Sequence, residues 1–319
     1  MRALVDRLGP DWLRQWLPVA TLVILVAGIG TAQPGFLSPS TMLQLASDTA
    51  VLFVLATGVT FVIMLGGIDL SIQAMASLAS VIVALTISHL GYASFPFAVA
   101  IGALSGALAG LAHVRLKIPS FIATLAVGGV LSGVALVISR QRSITLGEAD
   151  REYLTWITGQ VGGIPNEVII GLVVLLIAHV MQSRTPFGRY SAAIGAGEAA
   201  AYASGVKVDR QKLIAFTLSA TFAALAGVVL AGRLASGSPT LANELLLPSI
   251  AAVVVGGTAI TGGVGSIWRT LVGALIISVV RIGMTFVGIN IFAQNIVFGS
   301  VLVIAVAITI DRSKIPIVK

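Results

Sequence analysis

Long apolar runs, separated by short polar or glycine-rich stretches, recur along the whole chain. The first follows MRALVDRLGPDWLRQW and extends from Leu17 to Ala32. Others cover Met42–Leu65, Leu70–Ser88, Phe95–Val114, Phe121–Ser139 and Glu167–Met181. After a small-residue stretch the pattern resumes at Leu213–Ala231, Leu246–Thr261, Thr270–Val287 and Ile291–Ile310. A membrane-crossing helix takes about 20 apolar residues, so these runs predict an all-α polytopic membrane protein of about ten transmembrane helices. Eight or nine fit equally if some Gly-rich segments enter the membrane and return.

Composition agrees with this reading. Of 319 residues, 57% are hydrophobic and 10% charged, against about 25% charged in an ordinary soluble domain. Too little charge remains to cover a water-soluble globule, and too little for a disordered or nucleic-acid-binding chain. The net charge of +7 therefore points to membrane orientation. Of the 19 Lys and Arg, 14 fall in segments that alternate to one side. Only Arg140, Arg142, Arg151 and Arg233 fall on the other, and Arg281 lies within a run. The bias predicts both termini in the cytoplasm. A cleaved leader is the alternative for the N-terminus, but Asp6 and Asp11 are out of place in a basic leader. Cysteine is absent, which removes thiol chemistry. His89, His113 and His179 lack ligand spacing.

Phe95–Val114 carries Gly102, Gly106 and Gly110, a double GxxxG that lets another helix of the chain approach closely. Asp48 reads as a helix cap or dipole partner at the end of its run. Two apolar runs are broken by glycine pairs. One break reads Gly66-Gly67-Ile68-Asp69-Leu70-Ser71 and the other Gly256-Gly257-Thr258-Ala259-Ile260-Thr261-Gly262-Gly263. Paired breaks in two halves of a membrane protein suggest an internal pseudo-repeat and broken helices beside a transport path. This makes Gly66, Gly67, Asp69, Ser71, Gly256, Gly257, Thr258 and Thr261 the candidates for that path. An ordinary tight turn, with Asp69 capping the next helix, explains the same residues. No GxxxxGK[ST] phosphate loop occurs, and no run carries paired carboxylates. The chain reads as a conduit without its own engine, and not as an enzyme.

The polar stretch Thr185–Val206 presents small residues followed by Lys207, Arg210 and Lys212. It resembles the permease subunits of ribose-type sugar ABC importers, a family that includes autoinducer-2 permeases. Phe187, Gly188, Arg189, Ala193, Ile194, Gly195, Ala200, Ala201, Ser204 and Gly205 match that family's cytoplasmic pattern. Three further motifs match in order: Gly66 to Ser71; Ile118, Pro119, Phe121, Ile122, Thr124 and Leu125; and Ile250, Ala251, Ala252, Val253, Val254, Gly256, Gly257, Thr258, Gly262, Gly263, Gly265 and Ser266. Together they span about residues 45–310. Gly197 replaces a usual Asn, Tyr202 a frequent Arg and Arg269 a common Gly, while Arg281 stands where a small or amide residue is usual.

The resemblance implies a permease of the bacterial cell inner membrane, forming one transmembrane domain over 1–319. It implies a cytoplasmic coupling segment at 184–212 and a periplasmic loop at 140–166. A second permease subunit, identical or not, would complete the path among membrane lipids. A cytoplasmic ATP-binding-cassette ATPase would hold ATP and Mg, leaving no cofactor on this chain. A periplasmic solute-binding protein would deliver a sugar or sugar-like solute. Gly195, Glu198, Ala200, Ala201, Ser204 and Gly205 are the candidates for ATPase coupling. Nucleic acid is not an expected partner. The alternative function is an ion-coupled secondary transporter, which shares broken helices and repeats.

Overall fold

The computed structural model describes residues 11–309. The chain is a helical bundle: α1 (Asp11–Ala32), α2 (Pro39–Met64), α3 (Ile72–Leu90), α4 (Ser94–Arg115), α5 (Ser120–Ile138) and α6 (Asn166–Arg184). Two short helices, α7 (Pro186–Ala196) and α8 (Glu198–Ala203), precede α9 (Val208–Leu234). Then come α10 (Leu246–Val255), α11 (Ile267–Phe286) and α12 (Ile291–Thr309). The only strands among the described residues are two-residue pairs, Ile144–Thr145 with Ser236–Gly237 and Gln160–Val161 with Ile164–Pro165.

Among the described residues, six helical runs are long and apolar enough to cross a membrane. One of them, Ile72–Arg115, has 44 residues, about 66 Å as a single helix and twice a bilayer core. It turns back at Gly91, whose φ of +53° suits glycine, and α3 and α4 pack on each other. The expected span at Leu246–Thr261 is not a full crossing. Its helix, α10, has ten residues, about 15 Å, and ends where Gly256 and Gly257 cap it.

Helix α2 is the buried axis, with 94% of its most apolar 18-residue window inside the bundle. Helix α9 packs against α2, α3 and α4. The α4 glycines allow this as the GxxxG pattern predicts: a methyl at Gly102 would lie 2.7 Å from the Ala220 carbonyl, and one at Gly106 would overlap that of Phe216. By contrast, α5 and α6 are peripheral, with Leu125, Val130, Val137, Leu172 and Leu176 more than half exposed. Such apolar faces need lipid or another membrane subunit to cover them.

Candidate functional site

Both breaks are built from one local structure. After α2, Gly66 N–H donates to Ile63 O and Gly67 N–H to Val62 O. After α10, Gly257 N–H donates to Val254 O and Thr258 N–H to Val253 O. This is the Schellman cap, which needs a left-handed residue just past the helix. Gly66 at φ +78° and Gly257 at +91° supply it. The equivalent of Gly66 is thus Gly257, not Gly256, which shifts the pairing expected from sequence by one residue. Gly256 has its own reason: a side chain there would run into the Arg269 carbonyl.

The breaks also meet in space. Gly263 N–H donates to Met64 O at 3.0 Å, where α2 ends. Gly262 packs against Gly66, and both Gly262 and Gly263 take positive φ. Helix α7 closes the junction: a methyl at Gly195 would overlap the Met64 carbonyl and the Gly263 amide together. One glycine of the polar segment therefore touches both interrupted segments through backbone.

Neighbouring helices satisfy the backbone groups that the breaks expose. Ser120 Oγ accepts from Ile68 N–H at 3.0 Å, and Thr124 Oγ1 accepts from Leu70 N–H at 3.1 Å. Gln182 spans the second break, donating to Gly265 O and accepting from Ile267 N–H, each at 2.8 Å. Gln211, buried on α9, donates to Phe187 O at 2.8 Å and fixes α7. Sequence reasoning singled out neither glutamine. Ser120 and Thr124 had a signal, two hydroxyls four apart on the first turns of a helix.

The path candidates separate. Gly66, Gly257 and Thr261 are exposed, while Ser71, Gly256 and Thr258 are buried. Asp69 is buried and turned onto its own chain, accepting from Ser71 N–H at 2.9 Å and Ser71 Oγ–H at 2.6 Å. It closes a turn just ahead of α3, whose N-cap is Ser71 and which receives no side-chain cap bond, so the expected capping of that helix by Asp69 is not what forms. A cavity of about 330 Å³ lies between the first break and the polar segment, lined by Gly66, Gly67, Ser120, Glu198 and Lys212. Lys212 Nζ pairs with Glu198 at 2.7 Å across it. Among the coupling candidates, Ala200, Ser204 and Gly205 are exposed with Glu198, whereas Ala201 is buried and Gly195 belongs to the junction.

The far end of the bundle holds charges that periodicity did not bring together. Asp48 is not a cap, since Ser38 caps α2. Asp48 receives Arg233 at 2.5 Å, with Glu167 at 3.8 Å from Arg233 and Arg281 at 3.9 Å from Asp48. The four groups come from α2, α6, α9 and α11. They sit too far apart in sequence to be recognised as a cluster, although Arg281 stood out within an apolar run.

These features are those of a polytopic transport protein. Residues 41–306 match the family described as branched-chain amino acid transport system / permease component. The chain is 37% identical over 295 residues to a ribose import permease protein of Haemophilus influenzae, covering 91% of each. It is 38% identical over 302 residues to one from Bacillus subtilis, covering 93% of this chain and 92% of that one. A fructose import permease protein of Rhizobium meliloti is 34% identical over 304 residues, with 92% and 84% covered. The chain belongs to this permease family, as the motifs led one to expect. It is the transmembrane permease subunit of an ABC importer, a multi-pass protein of the bacterial inner membrane and not itself an enzyme.

Proposed function

We propose that the chain carries a monosaccharide across the inner membrane, driven by ATP hydrolysis on separate cytoplasmic ATPase subunits. The observation that carries the coupling is the junction at Gly195. Helix α7 rests by backbone on the ends of both interrupted segments. An ATPase displacing α7 and α8 would therefore bias both breaks at once. In energetic terms the ATPase stabilises two permease states differently, which is what shifting a conformational equilibrium requires. The coupling segment is 184–212, within one transmembrane domain over 1–319. The exposed Ala200, Ser204 and Gly205 offer the docking face. The exposed Gly66, Gly257 and Thr261 lie toward the path, with Gly67, Asp69, Ser71, Gly256 and Thr258 shaping it.

On this reading both termini are cytoplasmic and the loop 140–166 is periplasmic, which the Lys and Arg bias supports. The described residues end before either terminal segment. The far end of the bundle then faces the periplasm, where a solute-binding protein delivers its load. Helix α10 is a half-span within a repeat of about ten membrane segments. A second permease subunit covers part of the apolar faces of α5 and α6. Ribose- and fructose-named relatives support a sugar as cargo. An ion-coupled carrier is less suited, because Asp48 and Glu167 are held by Arg233 and Asp69 is held by Ser71.

The test is uptake into proteoliposomes containing the chain, its ATPase and its binding protein. Uptake that needs ATP and ignores proton and sodium gradients is expected. Gradient-driven uptake without ATP would overturn the reading. The purified chain alone should bind no nucleotide.

A further inference from the structure

A cavity of about 480 Å³ opens at the far end of the bundle, beside the Asp48–Arg233 pair. Asp48 is 16 residues before Met64 on one helix, so the cavity lies about 24 Å from the glycine junction. Its volume is in the range of small-molecule sites, about 300–1,000 Å³. The walls mix apolar side chains, Leu230 and Phe298 among them, with Asp48, Arg233, Glu244 and Arg281.

Each charged group is differently occupied. Arg233 is committed to Asp48 and Glu167, both of which are mostly shielded from solvent. Arg281 stands 3.9 Å from Asp48, beyond hydrogen-bond reach, and its side chain is 39% exposed. Its N–H donors are open among the described residues. Glu244 accepts one bond from Asn295 at 2.6 Å through Oε2, while Oε1 accepts none among the described residues. The cavity thus offers an unspent planar donor and an unspent acceptor.

We propose that this cavity is a docking site for one neutral monosaccharide, held between the Arg281 guanidinium and the Glu244 carboxylate. Adjacent hydroxyls accept from a guanidinium and donate to a carboxylate at the same time, while the ring C–H face packs on Leu230 and Phe298. A sugar acid drawn to Arg281 would set its carboxylate beside Asp48, which lies 3.9 Å from the same guanidinium. Like charges so close together disfavour the acid, so the site selects neutral polyols over sugar acids. This proposal rests on the reading of the chain as a sugar importer.

The chain has no cysteine, so Gln44→Cys places a single thiol at the cavity wall. Alkylation of that thiol is followed in the full chain in lipid nanodiscs. D-ribose or D-fructose at millimolar concentration should slow it at least threefold; D-ribonate should leave it unchanged. Adding Arg281→Gln or Glu244→Gln should abolish protection, each variant's protection being read against its own sugar-free rate, with an unchanged melting temperature reporting an intact fold. Protection by neither neutral sugar, or equal protection by ribonate, overturns the proposal. Uptake by the complete ATPase-containing complex separates the two failures. ATP-driven sugar uptake with no protection refutes the cavity alone, while absence of ATP-driven sugar uptake refutes the importer reading and the site with it.

Discussion

Gly263 N–H donates to the carbonyl of Met64 at 3.0 Å, and Gly195 lies flat on that bond. Three segments distant in sequence therefore share one backbone contact. No side chain mediates it, so no side chain can flex to absorb a change. Close-packed backbone contacts behave as switches between arrangements and not as springs.

Gly195→Ala should accordingly be severe for so small a change. Its methyl would overlap the Met64 and Gly263 backbone, and overpacking of this kind costs about 1–3 kcal/mol. ATP-driven uptake should fall at least tenfold while the protein still reaches the membrane. Near-normal uptake would show that the junction is slack.

The two caps make a comparison possible. Gly66→Ala and Gly257→Ala each force a left-handed residue to carry a side chain, at a cost of about 1–2 kcal/mol. Gly67 lacks positive φ, and a methyl there would lie 3.1 Å from a Val62 methyl that can give way. Gly67→Ala should therefore lower the melting temperature least of the three. Gly67→Leu should still block transport by filling the cavity beside α7 and α8. Thermal melts in detergent, with uptake in parallel, separate these effects.

Ser120 and Thr124 should act through the break they support. Ser120→Ala strands the Ile68 amide and Thr124→Ala that of Leu70. An unsatisfied buried donor costs about 1–3 kcal/mol. Thr124→Ser keeps the hydroxyl and should restore stability to within about 1 kcal/mol, which thermal melts would check; failure of that rescue would assign the loss to the missing methyl.

The spans were legible because lipid leaves helices little alternative, and apolar run length reports them directly. The breaks were legible because glycine pairs are costly inside a helix. Their pairing was misaligned by one residue, since sequence shows Gly-Gly but not which glycine takes positive φ. The span at Leu246–Thr261 was overcounted because ten helical residues and a following apolar loop have the same hydropathy as a crossing. The Asp48, Glu167, Arg233 and Arg281 cluster was invisible, because its members come from four helices and only packing brings them together.

That cluster gives a prediction of its own. Arg233→Gln leaves Asp48 and Glu167 facing each other without their shared cation. Removing one partner of a buried pair costs about 3–5 kcal/mol, and partial exposure at this site reduces that to about 1–3. Replacing Asp48 and Glu167 with Asn and Gln in the same chain should recover most of the loss. Melting temperatures of the single and triple variants provide the check, and no recovery would mean that Arg233 stabilises through packing instead.

The exposed side of α8 gives the most direct test of coupling. Ala200, Ser204 and Gly205 are exposed, while their neighbour Ala201 is buried and secures the segment to the bundle. A bulky residue at Ala200 therefore adds volume on the solvent side without disturbing the interior. If an ATPase docks there, its close-packed contact cannot take in an indole cheaply. Ala200→Trp should leave membrane insertion unchanged and stability within about 0.5 kcal/mol of wild type, as for surface changes generally. It should nonetheless reduce co-purification of the ATPase or uncouple hydrolysis from uptake. Ala201→Trp serves as the contrast, since its burial predicts loss of the fold itself. If Ala200→Trp retains both ATPase binding and coupled uptake, the docking surface lies elsewhere on the chain.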